Sequence, residues 1–555
     1  MATLNMDFIK TQETSISRPQ CDYDIYDYIS FNQDNDFKLI LEKDNRWEVF
    51  YHLSKMRESL LNWYPFGKDA QVLEVGGEFG ALTGTLCKRC KRVVSIERYS
   101  LRAEGIFKRY KTCSNLEVIA GEFLDIKFIE KFDFVIIIGK LEYQSGSKFT
   151  SEIYENYLKK AKSLLKENGR LLLAIENRFG IKYFCGCIDP FSGVPFAGIN
   201  NYPLAASGRS FTKDEIKNIL DKVGFGTIKF YYPIPDYKLP QLIFTDEYMP
   251  KSSIKERVIP YYINSNSLLA FENDLYDDLV ANGMFATMCN SFLIECSVNE
   301  VLSNIIFAAL STDREDANAF ITTIHSEGLV RKYPVNKEGV AVLERSYKNI
   351  LELKNRGINV VLHKWNGSYI EMPYISSITL SDYIGKEAGL DKNKFIKVLD
   401  KLYNCILRSS EKSSHLNRVF PQNDDLDWGI ILKKAFIDMV PMNCFYDNDE
   451  LVFFDQEFMR EDFPAKYIMF RAIKYAYLFF PYIEDVISKK DLAVKYGLLQ
   501  LWEYFDTEEN SFVFHNRQQK LYKNFLNWST INREKINRNA KALIGETSYE
   551  KSSIN

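Results

Sequence analysis

Histidine is scarce in this chain of 555 residues, with five scattered at positions 52, 325, 363, 415 and 515. The ten cysteines are also dispersed. Cys87 and Cys90 form a C-x-x-C and Cys185 and Cys187 a C-x-C, but no second pair or nearby histidine completes a zinc spacing. They read as small, soft core residues. Neither charge sign dominates: 71 basic against 74 acidic side chains leave −3, so no basic excess points to nucleic acid. No apolar run reaches the roughly 18 residues of a membrane span. The opening MATLNMDFIKTQETS has no hydrophobic signal region. Internal repeats and low-complexity linkers are absent too. Together these absences predict a cytoplasmic protein with no nucleic-acid partner and no transmembrane span.

What is present suffices for more than one core, because 46% of the residues are hydrophobic and the length exceeds that of one typical domain. Residues 1–45 are polar and aromatic without clear periodicity and read as an arm that packs onto the domain. WEVFYHLSKMRESLLNW, from Trp47 to Trp63, has helical spacing, with Tyr51, Leu53, Met56, Leu60 and Leu61 on one face. Strands and helices then alternate: QVLEVGG, RVVSIER, LEVIAGE and FDFVIII read as strands, with helices between the earlier of them. IYENYLKKAKSLLKENG reads as a helix ending at Gly169, and RLLLAIEN as the next strand. The apolar run FDFVIII suits a strand buried on both faces. This alternation predicts an α/β, doubly wound parallel sheet. Phe179–Ser210 is an insertion rich in Gly, Pro and aromatics. Thr212 and Glu215 form a capping box for the helix after it. The expected domains are an arm over 1–45, a first domain over 46–299, a second over 300–535 and a tail over 536–555.

Glu74-Val75-Gly76-Gly77-Glu78-Phe79-Gly80 follows a strand and opens a helix, and such a glycine turn lets backbone approach a ligand closely. Glu97 ends the second strand, where a carboxylate can accept bonds from ribose hydroxyls. To this point NAD and S-adenosylmethionine (SAM) look alike. Gly121-Glu122-Phe123 then ends the third strand, and Phe132-Asp133-Phe134-Val135 leads into Gly139-Lys140-Leu141-Glu142-Tyr143. Over roughly 72–230 this order resembles the class I SAM-dependent methyltransferases. The resemblance implies SAM as cofactor, the glycine turn (Glu74, Gly76, Gly77, Gly80) under its methionine part, Glu97 on the ribose, Gly121, Glu122 and Phe123 about the adenine, and Gly139 and Leu141 along the cleft. Glu142 and Tyr143 either contact acceptor or cofactor or cap the next helix. Asn177 and Arg178 follow the fifth strand. Arg178 is the candidate for holding an anionic acceptor through its planar fork, Arg57 lies on the preceding helix, and a structural ion pair is the alternative for Arg178.

Further on, Asp438 is followed after four residues by Asn443, and twelve residues later Phe453-Phe454 lead into Asp455. An Asp to orient or deprotonate a hydroxyl, with an Asn and a second Asp to hold Mg²⁺ on nucleotide phosphates, makes mechanical sense. The pattern resembles protein-kinase-like phosphotransferases, especially those of small molecules. The resemblance implies a two-lobed α+β domain using ATP and Mg²⁺. Its catalytic residue would be Asp438, its metal ligands Asn443 and Asp455, and its phosphate-binding lysine Lys332 on the strand Leu329–Tyr333. Glu344 would be the ion-pair partner of Lys332, with Glu352 as second choice, and the hinge strand around Glu371 would meet the adenine. The chain departs from the pattern in three places. Residues 307–323 hold no glycine, leaving Ser311, Thr312 and Arg314 as substitutes. Phe436-Ile437 precede Asp438, and Gln456-Glu457 follow Asp455.

A methyltransferase followed by such a domain resembles the bifunctional kinase–methyltransferases that cap bacterial O-antigen polysaccharides, over about residues 45–480. This implies phosphorylation of a terminal sugar and methylation of that phosphate. It also implies a glycan or lipid-linked polysaccharide acceptor, a glycosyltransferase partner and peripheral association with the inner face of the membrane. The family's long coiled coil is missing: about 518–543 is a short helical stretch without sustained heptads. The alternative is a sugar O-methyltransferase with a non-catalytic second domain.

Overall fold

The computed structural model describes residues 1–9, 19–32, 34–145, 150–251, 253–255, 257–299, 302–314, 316–423, 425–516, 525 and 528–544. Two units emerge, Met1–Thr312 with Lys520–Asn555, and Asp313–Gln519.

In the first unit, β1 (Thr3–Phe8), β2 (Gln71–Val75), β3 (Arg92–Glu97), β4 (Leu116–Gly121), β5 (Phe132–Ile138) and β6 (Leu165–Glu176) pair in parallel in the order β1-β4-β3-β2-β5-β6. β7 (Thr227–Ile234), β8 (Leu242–Thr245), β9 (Ser291–Ser297) and β10 (Ile305–Leu310) extend the sheet antiparallel as β6-β9-β7-β8-β10. This is a Rossmann-like sheet extended by antiparallel strands. Its apolar strands are buried on both faces because helices cover them. The strand order reverses between β2 and β5, which opens a ligand crevice at their carboxyl ends. The helix Lys213–Val223 carries the expected capping box.

Several expectations change. The 1–45 segment, expected to have no clear periodicity, forms regular elements. β1 adds an edge strand, with Leu4 opposite Val118, and the helix α1 (Gln20–Phe31) is tied by Asp22 to Arg102 (2.8 and 3.1 Å). After α2 (Lys38–Lys43), the expected Trp47–Trp63 helix breaks into α3 (Trp47–Leu53) and a 3₁₀ turn, Lys55–Leu60, because the Ser54 hydroxyl accepts the Met56 N–H (3.2 Å). The glycine turn leads into α4 (Thr83–Arg89), and α5 (Ser100–Arg109) follows β3. α6 (Ser151–Ser163) stops well before Gly169, which lies within β6. β10, expected in the second domain, pairs with β8 of the first unit. The chain's end also returns to this unit. Trp528 meets Trp47 edge-on at 5.4 Å. Arg533, which starts the helix Arg533–Ile544, pairs with Asp274 (2.6 Å). Residues 517–524 and 526–527 of the stretch expected to be helical lie outside the described residues.

The second unit has an antiparallel sheet of β11 (Phe320–His325), β12 (Leu329–Pro334), β13 (Lys364–Trp365) and β14 (Ile370–Pro373), ordered β11-β12-β14-β13. The helix Gly339–Asn355 packs Val342 and Leu343 with Phe320 and Ile370. The rest is largely helical. Lys392–Arg408, Ala465–Phe479 and Trp502–Asn516 enclose a core that includes Phe395, Leu399, Phe470 and Phe505. β15 (Ile431–Phe436) pairs with β18 (Met459–Pro464), and β16 (Cys444–Asp447) with β17 (Glu450–Phe453).

Candidate functional site

The first unit's site grows from the end of β2. Gly76 (φ +82°) and Gly80 (φ +78°) adopt left-handed conformations open to glycine. The turn is locked onto β3, because the Gly76 and Gly77 N–H groups donate to Ile96 carbonyl oxygen (2.8 and 3.1 Å). Glu97, buried at the end of β3, accepts from the Glu78 N–H (2.8 Å) and the Tyr99 N–H (3.1 Å). The cleft above the turn is lined by Tyr51, Arg57, Gly76, Gly77, Glu78 and Ile138 among others. A Cβ at Gly77 would come within 2.9 Å of Ile106 Cδ1. This cradle needs its glycines, and the buried Glu97 carboxylate at its edge is of the type that accepts bonds from ribose hydroxyls.

The other expected residues take different parts. Glu74 lies at the cleft wall, but its Oε2 accepts from Thr83 Oγ1 and Ser95 Oγ (2.6 Å each), making it a buried brace. Burial raises its carboxyl, with the two hydroxyls pulling the other way. Gly121 ends β4 and Glu122 pairs with Arg98 (2.5 Å). Phe123 is a core residue, packed edge-on against Tyr157 at 5.0 Å. Gly139 (φ +61°) approaches the Tyr237 hydroxyl, and Leu141 is fully buried. Arg178 is engaged by the protein itself: it donates to Glu215 (3.0 Å) and Asn201 (3.3 Å), and Arg209 shares Glu215 (3.3 Å). The capping glutamate neutralises the arginine proposed for an anionic acceptor. Arg57 is likewise a wall, donating to the carbonyls of Tyr237 and Lys238 (3.1 and 2.6 Å) and stacked on Tyr51.

Sequence reasoning left out Lys140 and His52 near the turn and gave Glu142 no settled role. Glu142 is buried after β5, with Oε1 accepting the Glu176 N–H (3.0 Å) and Oε2 buried without a partner. Burial pushes its carboxyl up to about 7, reinforced by Glu176 and opposed by backbone N–H groups and Lys238. The unfolded chain releases this proton near pH 4.5, whereas the folded chain holds it to about 7. The first unit therefore loses stability as pH rises through that window, by about 3 kcal/mol. Glu142→Gln is expected to remove this slope and to be more stable than the parent above pH 7. Denaturant midpoints at pH 5 and pH 8 check it, and equal slopes in both proteins would refute it.

In the second unit, Asp438, Asn443, Asp455 and Lys332 converge. Lys332 on β12 pairs with both Asp455 and Glu457, and Arg314 reaches Glu457 at 3.1 Å. Burial works against the Lys332 charge, but these carboxylates raise its pKa. Asn443 Nδ2 donates to the carbonyls of Asp438 (3.3 Å) and Asp455 (3.5 Å). Asp438 accepts the Phe458 N–H (2.8 Å) and lies 3.4 Å from Arg471. Burial, opposed by Arg471, pushes its carboxyl up to about 6. Among the described residues no three His, Cys, Asp or Glu side chains are grouped to hold a metal. Asp455 and Asn443 supply side-chain oxygens that suit Mg²⁺, which takes one or two carboxylates together with substrate phosphates.

Glu344 does not meet Lys332. It pairs with Lys348 (2.7 Å) on the helix's outer face, and Glu352 pairs with Lys434 (2.8 Å). The partner's place falls to Glu457, while the helix contributes Asn349, which donates to the Gln456 carbonyl (2.9 Å). Glu371 joins β14 to β12 through Arg331 (2.8 Å), a strand-to-strand pair.

Residues 53–181 match the family model of the ribosomal RNA adenine dimethylases, less than half of the chain. A probable ribosomal RNA small subunit methyltransferase A of Methanosarcina barkeri is 33% identical over 88 residues, covering 16% of this chain and 30% of that protein. Its counterpart from Methanococcus aeolicus is 25% identical over 233 residues, covering 39% and 82%. The chain thus spans about a third of the length of the first of these relatives. Among solved structures, phosphoethanolamine N-methyltransferase 1 of Haemonchus contortus, in complex with phosphoethanolamine and S-adenosylhomocysteine, has a TM-score of 0.30 at 13% identity, covering 51% of this chain and 49% of that one. The matched stretch, Leu53 to Ile181, carries the glycine turn and β2 to β6. The first unit therefore contains a SAM-dependent methyltransferase domain similar to the ribosomal RNA adenine dimethylases.

Proposed function

We propose that this chain couples a SAM-dependent methyltransferase to an ATP-dependent phosphotransferase acting on the terminus of a cell-surface polysaccharide. The second unit would phosphorylate a terminal sugar and the first would methylate that phosphate. The observation that carries the methyl-transfer half is the glycine turn braced by Glu97 at the strand-order reversal. The phosphoryl half is supported by the convergence of Lys332, Asp438, Asn443 and Asp455, with a strand order that sets Lys332 beside β14. When bound, SAM would supply an electrophilic methyl group, and ATP with Mg²⁺ a phosphoryl group.

The chain's own residues do the positioning. The glycine turn would admit the cofactor, Glu97 would orient its ribose and Glu122 would lie by its adenine. A phosphate acceptor is already anionic, so alignment rather than proton removal supplies most of the effect. In the second unit Asp438 would accept the sugar hydroxyl's proton, while Asn443 and Asp455 would hold Mg²⁺ and Lys332 the phosphates. Glycan or lipid-linked acceptors, a glycosyltransferase partner and a cytoplasmic location at the membrane face belong to this reading. Among the described residues no helix is long and apolar enough to cross a membrane. An RNA acceptor, as in the names of the relatives, is disfavoured by the net charge of −3.

The second reading is a sugar O-methyltransferase with a non-catalytic second unit. It is favoured by Lys332 being held between two carboxylates and by the absence of glycine from 307–323. Calorimetric titration with SAM, then with ATP–Mg²⁺, separates the two. Two independent sites support the coupled enzyme, SAM alone favours the second reading, and no SAM binding overturns both.

A further inference from the structure

Glu78 occupies a position where glycine would be unstrained. Its φ of +54° lies between two left-handed glycines, in a region that side chains seldom adopt, and such outliers gather where the backbone serves a ligand. Its backbone is pinned by Glu97 (2.8 Å). Its carboxylate faces two groups. Lys140 Nζ donates to Oε1 at 2.5 Å, and His52 Nδ1 lies 3.7 Å from Oε2. Burial pushes His52 down to about 4, so it is neutral at pH 7 and the contact is not an ion pair.

Lys140 follows Gly139 at the end of β5, and its methylenes lie so close over Gly76 that a Cβ there would overlap them. Glu78 thus lines the cleft and Lys140 lies over Gly76 of that lining, each side chain about one-fifth exposed (20% and 22%). Burial works against both charges and their attraction overcomes it. Glu78 is held well below the ordinary carboxylate range by Lys140, with Arg102 adding to it, and Lys140 is raised by Glu78 and Glu97.

A cation and an anion side by side in a ligand cleft form the electrostatic counterpart of an α-amino acid, whose carboxylate and ammonium flank one carbon. We propose that Lys140 and Glu78 recognise the amino-acid end of the sulfonium cofactor, their ion pair opening so that Lys140 takes the carboxylate and Glu78 the ammonium. This rests on the first unit being a SAM-dependent methyltransferase. One-for-one exchange leaves no charge unpaired, the condition under which opening a partly buried pair is tolerable. It also explains why a strained glutamate stands in a glycine slot: glycine would relax the turn but would offer nothing to an ammonium.

The test is calorimetric and needs no turnover. The full chain is titrated with S-adenosylhomocysteine and with 5′-methylthioadenosine, which keeps the nucleoside and lacks the amino-acid end. The parent should prefer the first by about 100-fold, and Lys140→Met should shrink that preference about tenfold or more while leaving methylthioadenosine affinity within about threefold. Glu78→Gly relaxes the turn but strands Lys140, so it should melt lower than the parent and lose the preference to a similar degree. An unchanged preference in either folded variant overturns the proposal. Failure of the parent to bind either nucleoside would sink the methyltransferase reading itself, a different result from selective loss in the variants.

Discussion

Glu97→Ala is expected to weaken S-adenosylhomocysteine binding by about two orders of magnitude without changing ATP–Mg²⁺ binding. The carboxylate already accepts two backbone N–H bonds, from Glu78 and Tyr99, so its position is fixed before any ligand arrives. Removal strips ribose hydroxyls of a charged acceptor, worth about 1.5–3 kcal/mol for each such bond, and about 2.7 kcal/mol corresponds to 100-fold. It also leaves the Glu78 N–H without its acceptor at the turn that shapes the cleft. Glu97→Gln keeps the shape and one carbonyl oxygen, and should recover part of the loss. Calorimetry of the three proteins with both ligands reads this directly. Unchanged S-adenosylhomocysteine affinity in folded Glu97→Ala would mean that the ribose lies elsewhere. Equal loss of both ligands would mean that the nucleotide and the methyl donor do not have separate sites.

The cofactor half was legible in the sequence for a physical reason. Strands buried on both faces appear as unbroken apolar runs, and a glycine turn between strand and helix has few other uses. β2 to β5 therefore fell where the runs were, and Glu97 at a strand end. The arm concealed a signal of the other kind: Thr3-Leu4-Asn5-Met6-Asp7-Phe8 alternates with period two and forms an edge strand. The break at Ser54 was hidden because apolar spacing continues across it. The entry to β6 was hidden because the pairing register shifts between Phe132 and Phe134, which leaves no trace in composition. Glu344 could have been rejected from sequence. The buried stripe of its helix runs through Val342, Leu343, Ser346, Asn349, Ile350 and Leu353, and Glu344 lies outside it. The return of 525 and 528–544 to the first unit, and the use of Glu457 against Lys332, are long-range events that local patterns do not carry.

Asp455→Asn is expected to lower Mg²⁺-dependent phosphoryl transfer by about 10³-fold, the scale set by losing one preorganised electrostatic partner, while SAM binding is unchanged. Asp455 has a φ of +52°, and Lys332 is its strongest charge partner, holding its carboxyl below the usual range against the effect of burial. Lys332→Met should lower transfer too, but its larger signature is stability. It removes the cation between Asp455 and Glu457 and leaves Arg314 alone with Glu457, a loss of about 3 kcal/mol for the second unit in denaturant titration. Adding Asp455→Asn to Lys332→Met should restore part of that stability, since one of the stranded charges disappears. Transfer in the parent should rise with pH through about 6 and then level, because Asp438 accepts a proton only when ionised. Its burial acts oppositely on folding. The folded carboxyl holds its proton to a higher pH than the unfolded one, so its contribution to stability falls across the window in which transfer rises. A second unit that only binds a partner would show the Lys332→Met stability loss alone. It would show neither the pH-dependent transfer nor a melting temperature raised by ATP–Mg²⁺ in the parent. The thermal shift with nucleotide therefore tests nucleotide binding before any sugar acceptor is identified, and its absence would favour scaffolding.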